Sequence, residues 1–576
     1  MTPAASPREG PQASLAAAVL IAVMIGMVGV MWATQRAFEA GLRPELQRKA
    51  AVVGASIGEL TGKALDHGLA LPELVGVRAH LDAIREEHPE LAYLAVRDGA
   101  GAVLFDSGRP EPAGGVEVPV LRAGRQVGAV RAQVGAAYVH GVLLESGLDL
   151  LVVFVVAMFL TRELLHSMAG AGTRAAGADG PAALARLRLP LFLFMLAEEL
   201  TRAFLPGYAR ALMPGDAPIS PDVLAGLPIV VFMLVVALGQ PVLAPWSERA
   251  GHRRTMAWGA AIGVLGLAGA ALASGLAGFI AWRGLCGLGY GMVFVAGQGL
   301  VLDHTTPAER TRGFALFIGA IMVAGVCGPP IGGIVADHVG ARWGFAAAAA
   351  TAFAAWLAVR GLPAPGPHGP AATAGAPTRD DFLRLFRQRR FLWVTALAAL
   401  PAKLILAGAC FYLVPVHVLA AGAPPSVAGR ALMLYAVVLV LVLPQATRWV
   451  ERGVPLARLV GLGLCLSSLG GFALLAWHGV TPVYVVTALL GLGQGLSIAA
   501  QSSLLSQVCA AEIAAHGSGP VFGAYRLVER LGNASGPLVA GALAATIGHV
   551  GAFVAMAALI LACGLVFLLV AARRAP

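Results

Sequence analysis

Ala244-Pro-Trp-Ser-Glu-Arg-Ala-Gly-His-Arg-Arg-Thr-Met256 is a compact basic turn between two apolar runs, Leu227–Leu243 and Met256–Leu276. Arginines in a short loop between two hydrophobic segments resist transfer across a bilayer and hold that loop on the cytoplasmic side. Arg249, Arg253 and Arg254 therefore give every other apolar segment of the chain a direction.

The surrounding composition has the same meaning. Charged residues make up 12% of the 576 residues and hydrophobic ones 58%, the profile of a polytopic membrane protein and not of a string of soluble domains. The net charge of +10 resides in short loops, where it reports orientation and not a nucleic-acid surface. Cys286, Cys327, Cys410, Cys465, Cys509 and Cys563 all lie in or beside apolar runs with no CxxC spacing, which speaks against a disulfide framework or a metal site. No cofactor is implied, and nothing has the pattern of a nucleotide-binding loop, a catalytic triad or a metal cage, so an enzyme or a primary pump is not expected.

Toward the N-terminus, residues 1–34 read as a short cytoplasmic segment and a signal-anchor helix, with Ser14–Ala33 uncharged and of spanning length. Residues 35–141 then change character. A helical pattern over Gln35–Leu69 and a second over Arg78–Glu87 precede strand candidates at Ala92–Val96, Ala102–Phe105, Val116–Leu121 and Gln126–Val134, the first two joined at Asp98-Gly99. Residues 142–161 return to the inside as a second transmembrane helix, and residues 162–186 form a Gly/Ala-rich linker. A helix leaving the membrane, a small mixed sheet and a return helix resemble the single Cache-type extracytoplasmic sensor modules, chiefly in Val75–Asp106 and Val127–Tyr138.

Toward the C-terminus the pattern gives twelve apolar spans, at roughly 188–208, 222–243, 255–274, 277–302, 314–336, 344–361, 391–417, 429–447, 455–477, 481–507, 521–547 and 550–572. With the two front spans both termini fall in the cytoplasm. The basic clusters at Arg310 and Arg312, Arg384–Arg390, Arg448 with Arg452, and Arg573–Arg574 all fall on that side. A central loop, residues 362–390, separates an N-half (187–361) from a C-half (391–576), and the halves repeat each other. Gly287-Leu-Gly-Tyr-Gly291 is echoed by Gly491-Leu-Gly-Gln-Gly495, and Gly328-Pro-Pro-Ile-Gly-Gly333 by Gly536-Pro-Leu-Val-Ala-Gly541. Internal duplication with a site between the halves is an architecture of secondary transporters.

On these motifs the twelve-span body resembles the major facilitator superfamily. The opening stretch matches that family's signature between spans two and three, with Glu248 where Asp is usual, then Arg249, Gly251, Arg253 and Arg254; Ala244 replaces the usual first Gly and His252 a common Arg. The resemblance implies that this turn is a gating latch, its acid and arginines holding the halves together in the outward-facing state; a topology anchor alone is the alternative. Arg283-Gly-Leu-Cys-Gly-Leu-Gly matches the family's span-four pattern. Gly328, Pro329, Gly332 and Gly333, echoed by Gly536, Pro537 and Gly541, match a Gly-Pro signature associated with exporters, especially proton antiporters. Its physics is helix bending and close packing.

Ionisable residues inside the apolar spans supply the remaining signal, because charge at mid-bilayer is costly and faces a cavity or a partner. Glu198 and Glu199 lie midway along span one, Arg202 one turn on, Arg283 in span four and Lys403 in span seven. These five are candidates for proton coupling. Glu198 and Arg202, four residues apart, are expected to share a helix face and to form a local ion pair. Two readings stand: Glu198 or Glu199 carries a proton, or an Arg–Glu pair ties spans one and four together. Tyr290, Gln298, Tyr412, Gln494 and Gln501 are the candidate polar residues of the substrate cavity.

The expected protein is an all-α polytopic membrane protein of the inner (plasma) membrane with a small α+β extracytoplasmic domain in front. The expected function is proton-coupled export of a small organic molecule by alternating access, with protons, membrane lipid and a small ligand of the front module as partners. A receptor using the body as transducer, and an importer, are the alternatives.

Overall fold

In the computed structural model, which describes residues 11–112, 114–172, 179–215, 218–306, 309–362, 384–516 and 518–574, the chain divides into two units, Met1–Met158 and Phe159–Pro576. Most of the central loop expected at 362–390, and part of the linker expected at 162–186, lie outside the described residues.

The first unit is built on α1 (Pro11–Asp66), which carries on without a break from the apolar run into the polar one. After α2 (Val77–Glu87) come β1 (Leu91–Asp98), β2 (Val103–Gly108), β3 (Val116–Arg122) and β4 (Arg125–Val134), and then α3 (Ala136–Gly172). The strands form one antiparallel sheet in the order β2-β1-β4-β3. The expected turn at Asp98-Gly99 is present: the Asp98 carboxylate accepts from the backbone N–H of Ala100 and Ala102 at 2.9 and 2.8 Å, an Asx-type closure. Alternation puts Leu94, Val96, Val130 and Ala132 on one face, where they pack with Ile57 and Leu65 of α1 and Leu81 of α2. Across the sheet, Gln133 donates to the carbonyls of Gly114 and Glu111 at 2.6 and 3.2 Å, holding the loop before β3. The Glu111 carboxylate in turn accepts from the N–H of Ala136 at the start of α3.

The second unit is helical. Its N-half runs through α4 (Asp179–Leu200), α5 (Leu205–Ala211), α6 (Pro221–Ala250), α7 (His252–Leu272), α8 (Leu276–Asp303), α9 (Arg310–His338) and α10 (Ala341–Val359). The C-half follows as α11 (Arg389–Ala420), α12 (Pro425–Glu451), α13 (Leu456–Ala476), α14 (Thr481–Val508), α15 (Ala510–His516) and α16 (Ser518–Arg574). Among the described residues eleven helices are long and apolar enough to cross a membrane.

Three segments depart from simple spans. The first body span, expected as one helix over 188–208, is interrupted between α4 and α5 at Thr201–Phe204. Span seven, α11, is helical throughout but passes through wider π-helical turns at Thr395–Ala399 and Leu406–Leu413. Spans eleven and twelve, expected as separate helices, run on as α16 with a sharp corner at Gly548 (φ 74°, ψ 170°), a conformation open to glycine.

The repeated glycines explain how the halves pack alike. A Cβ at Gly287 of α8 would lie 2.7 Å from the Phe232 carbonyl oxygen of α6. One at Gly491 of α14 would lie 2.6 Å from that of Tyr435 in α12. In both halves a glycine row lets one helix backbone press onto its neighbour, as small residues do in membrane bundles.

Candidate functional site: a charged cavity in the helical body

The site begins with the interruption of span one. Glu198 and Glu199 are in the last turn of α4, after which the backbone tightens. Thr201 N–H donates to the Glu198 carbonyl at 3.3 Å, Arg202 N–H to that of Glu199 at 3.2 Å, and the Thr201 hydroxyl also donates to Glu198 at 2.9 Å. These i→i−3 bonds replace the α pattern, and Pro206, which lacks an N–H, opens the next helix. Irregular backbone at membrane depth is tolerated where it is buried in protein or lines a cavity.

This local geometry corrects the expected Glu198–Arg202 pair. With the helix ending at Leu200, residues 198 and 202 no longer stack. Arg202 Nε instead sits 2.6 Å from Glu199 Oε2. Glu198 is held by span four: Arg283 Nη1 donates to Glu198 Oε2 at 3.1 Å, with both side chains 5% exposed. The second carboxylate oxygen, Glu198 Oε1, is buried and has no hydrogen-bond partner among the described residues.

A cavity of about 40 Å³ opens beside this pair, lined by Glu198, Arg202, Arg283, Tyr290, Phe232 and Phe411 among others. Aromatic faces cover both cations. The Arg283 guanidinium lies 4.6 Å from the Phe232 ring centre, and that of Arg202 lies 4.0 Å from the Phe411 ring centre. Phe411 belongs to the π-helical stretch of α11, so the contact with Arg202 joins the two halves. Tyr290 packs edge-on against Phe232 at 5.5 Å between ring centres.

Of the candidates read from the sequence, Glu198, Arg202, Arg283 and Tyr290 come together here, with Glu199 behind Arg202. The others lie elsewhere. Lys403 Nζ pairs with Glu529 Oε1 at 3.4 Å. Gln494 Nε2 donates to the Ala402 carbonyl at 3.0 Å, and Gln501 Oε1 accepts from the Tyr525 hydroxyl at 2.8 Å. Tyr412 donates to the backbone carbonyl of Asp222, and Gln298 is half-buried farther along α8. The residues that sequence reasoning missed, Phe232 and Phe411, are apolar members of apolar runs, and only their placement over arginines distinguishes them.

The Gly-Pro signature and its echo sit where the halves meet. A Cβ on Gly333 of α9 would be 2.8 Å from the Pro425 carbonyl oxygen of α12, and one on Gly541 of α16 would be 2.7 Å from that of Asp222 in α6. Each contact is reciprocal, with Gly429 of α12 against the Pro329 carbonyl (2.6 Å) and Gly226 of α6 against that of Pro537 (3.1 Å). Gly328 and Gly332 press on α4 at Glu199 and Leu200, and Gly536 on α11 at the Leu404 carbonyl, 2.6 Å. The motif therefore ties the interrupted and π-helical spans to the inter-half contact.

Polar groups reinforce this end. Asp222 is paired with Arg210 of its own half and lies 3.3 Å from His549 Nε2 of the other. The Asp337 carboxylate accepts from the Ser426 N–H at 2.9 Å. Asp222 was unread in the sequence because, following Ser220-Pro221, it has the pattern of an ordinary helix-start acid.

The basic turn occupies the opposite end of α6. Gly251 takes φ 89°, the positive value that favours glycine, and lets α7 start at once. Arg253 donates to the Arg360 carbonyl at 2.8 Å within the N-half. His252 Nδ1 lies 2.9 Å from Ser247 Oγ, and Nε2 lies 3.8 Å from Asp303. Glu248, Arg249 and Arg254 are exposed, and Glu248 forms no ion pair among the described residues.

Residues 190–519 match the family model described as Major Facilitator Superfamily, more than half of the chain. The chain belongs to the Major Facilitator Superfamily. Similar curated facilitators include the chloramphenicol resistance protein CraA of Acinetobacter baumannii, 26% identical over 157 residues (27% of this chain, 37% of that one). The efflux pump radE of Floropilus chiversii is 31% identical over 170 residues (29% and 30%), and the multidrug export protein EmrB of Escherichia coli 26% over 117 residues (20% and 22%). The chain thus spans little more than a third, at most, of the length of these relatives. Among solved facilitator folds, the peptide transporter POT in complex with sulfate superposes with a TM-score of 0.56 at 16% identity, covering 71% of this chain and 98% of that one. At that identity the likeness concerns the fold. The protein is a multi-pass membrane protein of this superfamily, with relatives named as efflux pumps.

Proposed function

We propose that the protein is a proton-coupled exporter of small organic molecules in the inner (plasma) membrane, working by alternating access. Twelve body spans are obtained by taking α4 with α5 as one span and dividing α16 at Gly548. Both termini and the basic turn are assigned to the cytoplasm on the arginine distribution. The end closed by Asp222, Asp337 and the reciprocal glycines is then the outer one. Glu248, which is exposed and forms no ion pair among the described residues, accords with an inward-facing state in which the latch of Glu248, Arg249, Arg253 and Arg254 is released. The names of the relatives, chloramphenicol resistance and multidrug export among them, favour an outward direction.

The observation that carries the coupling is the Glu198–Arg283 pair with its unpartnered Oε1 at the cavity. Protonation of Glu198 removes one charge of the pair and leaves Arg283 to seek another acceptor, so proton and cargo compete for one locus. Glu199 is assigned the lesser role of holding Arg202 over Phe411. The front unit, with its four-stranded sheet and long helix, is assigned as a Cache-like extracytoplasmic module that senses a small ligand.

The test is flux in proteoliposomes holding the purified full chain, with an imposed proton gradient and chloramphenicol and ethidium as cargo probes. Gradient-driven accumulation that disappears in Glu198→Gln and persists in Glu199→Gln supports the assignment. Unchanged coupling in both variants and in the double variant overturns it.

A further inference from the structure

The first unit holds a partly open cavity of about 740 Å³ between α1, α3 and the β3–β4 side of the sheet. Its volume falls within the roughly 300–1,000 Å³ of small-molecule sites. Its two long walls differ in chemistry. Along α1 the lining follows a four-residue step, Gln35, Glu39, Arg43 and Gln47, a polar row on one helix face. Facing it, α3 contributes mainly apolar side chains, Val139, Leu143, Leu144 and Leu148, with His140 as its one polar member, and the valines of β3 and β4 lie above. From Gln35 to the buried Ala50 the α1 wall is about 22 Å long at 1.5 Å per residue.

The polar row has spare capacity. Gln35 Nε2 donates across the cavity floor to the Leu143 carbonyl at 3.0 Å, yet its Oε1 is buried without a partner among the described residues. Arg43 is paired with Glu39 at 3.4 Å, but both are largely exposed, so the pair is easily exchanged for another partner. With residues 14–33 and 142–161 assigned to the membrane, the floor falls near its outer surface. Three residues below Gln35, Trp32 is 60% exposed, with the Arg36 guanidinium 4.5 Å above its ring, a pairing suited to the headgroup level.

We infer that this slot is a binding site for an elongated, facially amphipathic small molecule that enters from the outer membrane surface. One edge of such a ligand carries hydroxyl or carboxylate groups toward Gln35, Arg43 and Gln47, and its apolar face lies on Leu143 and Leu148. A head-and-tail amphiphile matches less well, because polarity changes across the slot and not along it. The inference rests on the assignment of this unit to the extracytoplasmic side, and it gives the proposed sensing a location and a ligand chemistry.

The test is equilibrium binding of radiolabelled cholate, below its micellar concentration, to the full chain in phosphatidylcholine nanodiscs, against empty nanodiscs. A saturable site, one per chain, is expected. Gly147→Phe should weaken it at least tenfold by filling the floor. Gly147→Ala should stay within twofold, since a Cβ there meets only Gln35 at 3.8 Å. As a second handle, Gln47→Leu with Arg43→Leu should weaken cholate more than lauroyl lysophosphatidylcholine. Binding no greater than to empty nanodiscs, or unchanged by both Gly147→Phe and the double variant, overturns the inference. Because binding is read without transport, failure here is distinct from failure of the exporter assignment.

Discussion

At the residue scale the central fact is a buried ion pair. Glu198 and Arg283 are both nearly inaccessible, and neutralising one leaves the other charged and unpaired, which costs about 3–5 kcal/mol in buried pairs. Glu198→Gln should therefore lower thermal stability in detergent. Glu198→Leu combined with Arg283→Met should recover most of the loss while still abolishing coupling, since apolar replacement of a whole pair is often neutral. A double variant as unstable as the sum of its single changes would mean that the two residues do not form one unit. The presence of charge at this depth was legible in the sequence, because five ionisable residues interrupt apolar runs. Its pairing was not. The four-residue step from Glu198 to Arg202 implies one helix face, and the break after Leu200 removes that face. The missing information is the backbone of Thr201–Phe204, where no glycine marks the turn.

At the element scale the Gly-Pro signature is an inter-helix fitting. The sequence showed the duplication through Gly328–Gly333 and Gly536–Gly541, and the structure adds the surfaces these meet. Gly429 and Gly226, outside any motif, complete the two contacts from the other side. Such partners are invisible in one sequence because a lone glycine in an apolar helix has no periodicity. The geometry predicts that Gly541→Val, which drives a branched side chain against the Asp222 carbonyl, blocks closure of this end and reduces transport at least tenfold. The protein should remain folded and monodisperse. Gly278→Val is the control, because a Cβ at Gly278 meets nothing within 4 Å, and its transport should stay within twofold of the parent. Equal loss in both variants would assign the effect to helix propensity instead.

At the scale of the whole molecule two pseudo-equivalent halves touch at one end through α9 with α12 and α6 with α16, and the arginine-rich turn lies at the other, with Arg253 bonded within its own half. The helical body and its doubling were legible because hydropathy and charge act over whole spans. The particular conformation was not, since a sequence with two closing surfaces contains both states. An alternating-access protein must exchange one closed end for the other. The most direct measurement is a pair of distances by double electron–electron resonance, in an otherwise cysteine-free chain in nanodiscs. One spin-label pair sits at the exposed positions Ile219 and Val550, the other at Thr311 and Arg452. When pH or chloramphenicol shifts the equilibrium, the first distance should lengthen as the second shortens. Distances that stay fixed, or that change in the same sense, would contradict alternating access about the Glu198 cavity.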